Sequence, residues 1–333
     1  LATTFRPRWQ TMGTTVAGTG APASTLDKLN APTSIAIDST NKLYIADSSN
    51  NRIQKFTTEN LFGTTVAGQS LGAAGSSATD LYRPYNVLFD SNGNLYVSDS
   101  FNHRVQLFTN GSLVGTTLVG TGMPKRIKKK TNIIVLRLFL GTSGSSINEL
   151  NAPRGLARNP TSGALYIADY GNHRVMSYLS NVINVVAGGN GAGGLNTQLY
   201  YPMGLAFDAS SSSLYISNYN CHTVVRWVLN ATIWTLVAGG PNCAAGSTSI
   251  LFTYPTGIML DPMGNLYVAD YSNHRIHMFE RGIFNGSTIL GETSTYGILS
   301  NLLYNPYFVA FDSDFNLYVA DTSNHRIQKF LRY

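Results

Sequence analysis

An all-β chain built from repeated sheets is the fold class this sequence predicts, and three observations predict it. One phrase occurs six times: LYIADSSNNRIQKF from Leu43, LYVSDSFNHRVQLF from Leu95, LYIADYGNHRVMSY from Leu165, LYISNYNCHTVVRW from Leu214, LYVADYSNHRIHMF from Leu266 and LYVADTSNHRIQKF from Leu317. Its tyrosines stand at 44, 96, 166, 215, 267 and 318, with gaps of 52, 70, 49, 52 and 51 residues. A proline precedes each copy (Pro32, Pro84, Pro153, Pro202, Pro255 and Pro306), and a Val/Ala-Gly phrase follows most of them. A unit of about 50 residues that contains four strands is a propeller blade. The prediction is therefore a six-bladed β-propeller with four-stranded antiparallel blades, occupying 1–333 as a single domain with no room for a second.

Within each unit, SIAID-type segments predict the first strand, LYIAD the second, RIQKF the third and TTVAG the fourth. All alternate or run apolar and are rich in Val, Ile, Tyr and Phe. Turn residues separate them: DSNGN, SNNR, and Asn-Gly at 110–111 and 285–286. The sixth copy ends at Phe330-Leu331-Arg332-Tyr333, before any fourth strand. The segment TMGTTVAG at 11–18 is nearly identical to the fourth strand at 64–68. Residues 11–18 are thus expected to complete the last blade and remove an open sheet edge.

Composition narrows the function classes. Charged residues make up 12% of 333, about half the usual share. That argues against a coiled coil, a charged disordered chain or an ordinary helical bundle. Two cysteines do not make a disulfide-dense scaffold or a Cys-rich zinc domain. No apolar run is long enough for a spanning helix. The start at Leu1 shows no secretory n-region or h-region, so a fragment, a trimmed mature chain or a protein without such a signal is expected.

The repeated Leu-Tyr-Val-Ala-Asp followed by Asn-His-Arg resembles the NHL repeat. The tripeptide stands at Asn102-His103-Arg104, Asn172-His173-Arg174, Asn273-His274-Arg275 and Asn324-His325-Arg326. The first unit departs with Asn51 in place of His, and the fourth with Cys221-His222-Thr223. The resemblance covers nearly the whole chain and implies a platform for a protein or another ligand. Some six-bladed relatives are metal-dependent lyases or lactone hydrolases, and some NHL propellers attached to RING and B-box modules bind RNA.

Residues repeated in every unit point to architecture rather than to one active site. Asp47, Asp99, Asp169, Asp270 and Asp321 end the second strand, and Arg52, Arg104, Arg174, Arg275 and Arg326 begin the third. An Asp–Arg bridge in each unit is expected, because a carboxylate accepts turn N–H groups and an Arg fork. The fourth unit has Asn218 and Thr223 at these positions, so both charges are lost together. His103, His173, His222, His274 and His325 share one repeat position, which suits turn packing better than a converging zinc site; only His277 lies outside it. No metal and no cofactor are expected.

The 70-residue gap contains MPKRIKKKTNIIVLRLFLG at 123–141, read as a basic insertion between blades. It carries Lys125, Arg126, Lys128, Lys129, Lys130 and Arg137 and no acid; without it, 17 bases face 17 acids. The net charge of +6 is therefore local to the insertion. The segment reads as a nuclear or nucleic-acid patch, as a contact for an anionic membrane, or as a functionless insertion such as an in-frame retained intron.

Turns between strands two and three emerge on the face that also carries the inter-blade loops. Variable positions there offer Phe101, Tyr170, Tyr219 and Tyr271, an aromatic crescent on an exposed rim that could meet a ligand or protein. The alternative is that the tyrosines cap blade interfaces. The opposite face carries the sequons at Asn110, Asn230 and Asn285, although Asn-Gly is also a preferred hairpin turn. Cys221 and Cys243 could form a disulfide or remain free thiols. These two features lean toward an extracellular or secretory setting.

The reading is a non-enzymatic binding propeller, expected to be monomeric. Its partner is a protein or small ligand at the propeller face, and the neutral disk argues against nucleic acid. A lyase or lactone hydrolase needs acidic and His groups outside the repeat. These are few: Glu59, Glu149, Glu280, Glu292 and His277.

Overall fold

A computed structural model of the chain describes residues 8–57, 60–120 and 143–333. The chain opens with β1 (Thr14–Ala17) and then builds six sheets in order. The first holds β2 (Pro32–Ile37), β3 (Leu43–Asp47), β4 (Arg52–Thr57) and β5 (Asn60–Gly68), and the second β6 (Pro84–Phe89), β7 (Leu95–Asp99), β8 (Arg104–Phe108) and β9 (Gly115–Val119). The third holds β10 (Pro153–Arg158), β11 (Leu165–Asp169), β12 (Arg174–Leu179) and β13 (Val182–Gly188). The fourth holds β14 (Pro202–Asp208), β15 (Ser213–Asn218), β16 (Thr223–Val228) and β17 (Thr235–Gly239). The fifth holds β18 (Pro255–Leu260), β19 (Leu266–Asp270), β20 (Arg275–Phe279) and β21 (Ser287–Gly291), and the sixth β22 (Pro306–Phe311), β23 (Leu317–Asp321) and β24 (Arg326–Phe330). Every strand pairing within these sheets is antiparallel, and β1 pairs with β24 as the fourth strand of the sixth sheet.

The six-bladed propeller expected from the repeats is therefore the observed fold. Its first strands pack side by side in a closed ring: β2 on β6, β6 on β10, β10 on β14, β14 on β18, β18 on β22, and β22 back on β2. Strand β1 is shorter than the segment 11–18, covering 14–17 alone. It carries a register shift between Thr15 and Ala17, and shifts of the same kind interrupt β4–β5, β12–β13, β16–β17 and β20–β21. The seam thus repeats the geometry of the other blades. It also runs further than the repeat suggests. Trp9 forms a bridge with Arg332, and its Nε1 donates to the Phe315 carbonyl at 2.8 Å.

The core lies between blades. Each second strand is covered on both faces, so LYIAD-type segments read as continuous apolar runs rather than as alternating ones. Val105, Leu156, Leu165, Ile167 and Met176 form one such layer between the second and third blades. Four of the third strands carry Phe56, Phe108, Phe279 and Phe330 at or next to their ends, all fully buried. Near the axis the backbones come too close for side chains. A Cβ on Gly155 would collide with the Met203 carbonyl, and one on Gly204 with that of Thr256. Glycine is required there by proximity, and the axis stays narrow.

Candidate ligand-binding face

Five of the six blades end their second strand in an aspartate whose carboxylate organises the turn that follows. In the second blade Asp99 accepts the N–H of Tyr82 at 2.7 Å, Asn102 Nδ2 at 2.8 Å and Arg104 Nε at 2.7 Å. The rest of the Arg104 guanidinium donates to the carbonyls of Ser76, Ser77 and Asp80, and so holds the preceding inter-blade loop. The same ion pair joins Asp47 to Arg52, Asp169 to Arg174, Asp270 to Arg275 and Asp321 to Arg326, at 2.7–2.8 Å. Burial pushes these carboxyls up, to about 6 for Asp99 and Asp270, against the downward pull of the arginines and amide donors. The frame uses up its own charges within each blade. These residues hold the face rigid and leave little polar capacity for a ligand.

The fourth blade departs. Asn218 Oδ1 accepts the Tyr200 N–H at 2.5 Å, but Asn218 Nδ2 and Thr223 Oγ1 are buried without a partner. Cys221 takes the place of the repeat asparagine and forms a disulfide with Cys243 in the next inter-blade loop. Both sulfurs lie where a Cβ on Gly194 would be, so the bridge packs on the loop that an arginine would otherwise hold.

The side chains around the axis come from two positions per blade. One follows each aspartate or Asn218: Ser48, Ser100, Tyr170, Tyr219, Tyr271 and Thr322. The other follows each proline: Thr33, Tyr85, Arg154, Met203, Thr256 and Tyr307. Tyr85, Tyr170, Tyr219 and Tyr271 pack against a core that includes Met203 and Tyr307. Tyr85 and Tyr307 meet edge to face at 5.2 Å and their hydroxyls bond to each other; Tyr271 lies 5.7 Å from Tyr307, and Tyr170 lies 6.4 Å from Tyr219. Tyr201 stacks on Tyr170 at 4.5 Å, and Tyr254 tilts on Tyr219 at 4.8 Å. The guanidinium carbon of Arg154 lies 3.5 Å from the centre of the Tyr85 ring and 4.9 Å from that of Tyr170. Burial raises the Tyr170, Tyr219, Tyr271 and Tyr307 hydroxyls above the usual tyrosine value, which keeps them protonated.

The crescent expected on an exposed rim is thus placed differently. Tyr170, Tyr219 and Tyr271 are half-buried around the axial mouth. Phe101 is apart from them, packed edge to face on Tyr82 at 5.1 Å beneath Arg83. The reason is local. Phe101 is the second residue of its short 3-10 turn, whereas the tyrosines are the first of theirs, so they point in different directions. Sequence reasoning missed Tyr85, Arg154, Met203 and Tyr307. The signal was present, because the residue after each proline varies between units whose flanks repeat.

The sequon residues Asn110, Asn230 and Asn285 are exposed in the connections between third and fourth strands. The basic segment 123–141 lies outside the described residues. Among the described residues no three His, Cys, Asp or Glu side chains gather as a metal-ligand set, and no helix is long and apolar enough to cross a membrane.

A family model for the NHL repeat matches residues 29–56, 150–176, 252–279 and 303–330, which are the first, third, fifth and sixth blades. NHL repeat-containing protein 2 of Homo sapiens is 33% identical over 109 residues, covering 32% of this chain and 13% of that protein. The Bos taurus protein of the same name is 34% identical over 98 residues, 28% of this chain and 11% of that one. The aligned region is a small part of those relatives. Among solved structures, an auxiliary nutrient binding protein from Bacteroides thetaiotaomicron superposes with a TM-score of 0.69 at 16% identity, over 98% of this chain and 77% of that one. A gluconolactonase from Xanthomonas campestris superposes with a TM-score of 0.60 at 14% identity, over 93% and 88%. At these identities the likeness is one of fold.

Proposed function

Because the chain is an NHL-repeat six-bladed β-propeller, we propose that it is a non-enzymatic binding module whose ligand enters the axial mouth on the face of the Asp–Arg turns. The observation that carries this reading is the asymmetry of the mouth. Three consecutive blades place Tyr170, Tyr219 and Tyr271 there, while the other three hold the buried Ser48, Ser100 and Thr322 at the equivalent repeat position. Architecture alone would repeat one residue six times. Half-buried rings on a rigid frame give a ligand apolar area at small entropic cost. The same superposed fold in a nutrient binding protein is compatible with this use, but fold does not name a ligand.

A lyase or lactone hydrolase would need polar groups converging from several blades. The axial positions are instead mostly aromatic, apolar or hydroxyl-bearing. The exposed sequons and the disulfide support an oxidising, secretory setting for the module.

The test uses benzamide, a neutral flat probe, and ligand-observed saturation-transfer NMR. The wild type should show transfer at millimolar probe. Tyr219→Ala should lose it and Phe101→Ala should keep it. No transfer in the wild type, or undiminished transfer in Tyr219→Ala, would overturn the proposal.

A further inference from the structure

Arg154 has no architectural explanation. It follows Pro153 on the innermost strand of its blade, and the equivalent residues elsewhere (Thr33, Tyr85, Met203, Thr256 and Tyr307) carry no charge. The ring of residues after each aspartate is also uncharged, so Arg154 is the single charge among the twelve axial positions. The frame arginines all spend Nε on an aspartate. Arg154 does not: its Nε and Nη1 are buried and have no hydrogen-bond partner. Its cationic face lies on Tyr85, which offsets part of the desolvation but leaves Nε and Nη1 without an acceptor. A buried donor without an acceptor is costly, and a charged one more so. A side chain held in that state by its surroundings is prepared for an acceptor from outside the chain.

We propose that Arg154 makes the axial mouth a receptor for a small carboxylate carried on a flat ring. The inference rests on the mouth being the binding site, as proposed above. The guanidinium edge matches a carboxylate with two parallel hydrogen bonds. A single cation among phenols balances one negative charge, whereas a phosphate dianion would call for further donors. The body of the ligand is set by its neighbours. Tyr170 flanks the guanidinium at 4.9 Å, and Tyr219 lies 6.4 Å beyond it, so a planar ring attached to the carboxylate meets aromatic faces. Side chains meet across the axis beneath it, with the Tyr307 hydroxyl on that of Tyr85 and on the Met203 sulfur, so the ligand stops at the mouth rather than passing through the disk.

The experiment compares benzoate with benzamide, which share shape and differ in charge, by isothermal titration against the whole chain. Benzoate should bind about tenfold more tightly or better, and Arg154→Met should reduce it to the benzamide level. Arg154→Lys should recover only part, because an ammonium lacks the fork. Inorganic phosphate should compete poorly with benzoate. If benzoate and benzamide bind the wild type equally, the carboxylate inference fails while the aromatic mouth survives. If neither binds, both fail. Equal competition by phosphate, or benzoate binding unchanged in Arg154→Met, would also overturn the inference. The comparison of the two probes needs no variant, so it stands even if substitution at Arg154 prevents folding.

Discussion

His103 of the second blade accepts the backbone N–H of Ala152 in the third through Nδ1, at 3.0 Å and 49 residues' separation. The same bond links His173 to Tyr201, His222 to Tyr254 and His274 to Asn305; His325 closes the ring onto Ala31. The first blade has Asn51 in place of His, and its Oδ1 accepts the Arg83 N–H at 2.9 Å. Six equivalent latches therefore join neighbouring blades, and what the position requires is an acceptor. Each latch residue adopts positive φ at the end of its 3-10 turn, a conformation in which Asn and His are enriched.

His103→Asn should therefore be tolerated, with stability within about 0.5 kcal/mol of the wild type. His103→Leu leaves the Ala152 N–H without its acceptor and should cost about 1–3 kcal/mol. Urea unfolding of the two variants checks this. Equal losses would mean that the imidazole acts through packing and not through Nδ1.

Acid should loosen the ring. Burial lowers the pKa of His103, His173, His222, His274 and His325 below the ordinary 6.5, with the Asp321 charge opposing at His274 and His325. His277 falls to about 4 through burial and the adjacent Arg275 charge. At these histidines the fold thus binds fewer protons than the unfolded chain. The neutral-histidine contribution is present in full above pH 6.5 and declines as pH falls from there. Asp99 and Asp270, raised to about 6, take up protons in the fold and offset part of the loss at lower pH. Stability should therefore hold steady above pH 6.5 and drop as pH falls from 6.5 to 6, and more gently in His103→Asn. A flat profile across that interval would contradict the assignment.

Arg174→Ala removes the cation from a pair in which Asp169 is fully buried and releases the carbonyls of Ser145, Ser146 and Glu149. The expected cost is about 3–5 kcal/mol by urea titration. Adding Asp169→Asn should restore part of it, since Asn218 and Thr223 show that a blade can exist without the pair. A loss below about 1 kcal/mol for Arg174→Ala would remove the frame from the account of rigidity.

Much of the fold was legible because repetition makes it so. Six copies in register state the blade count, and the TTVAG phrase at the start matches its counterpart at 64–68 closely enough to show where the ring closes. The site was only half legible. Tyr170, Tyr219 and Tyr271 stand out as variable residues between constant ones, but their direction depends on a 3-10 turn that sends the first residue to the axis and the second away. Arg154 and Tyr307 sit in segments that read simply as strands. In the fourth blade the sequence shows the Asp and Arg vanish together, and the structure adds that the disulfide lies over the loop the arginine would have held. Trp9 belongs to no repeat, so no pattern marks it.

Trp9 offers the sharpest test of the seam. It is nearly buried, stacks on Phe311 at 6.0 Å and meets Tyr267 edge to face at 5.7 Å, while Nε1 holds the Phe315 carbonyl. Its indole joins the first described residues to the fifth and sixth blades, next to the edge where β1 pairs with β24. Trp9→Ala should cost about 3–5 kcal/mol, the usual range for emptying a buried aromatic site. Trp9→Phe keeps most of the ring and abandons the carbonyl, so it should lose about 1–3 kcal/mol. Met12 lies close by in sequence but is exposed, and Met12→Ala should stay within about 0.5 kcal/mol of the wild type. Equilibrium unfolding in urea ranks the three. If Trp9→Ala and Met12→Ala proved equally mild, the closure would reside in the short β1–β24 pairing alone, and the indole would be a passenger on it.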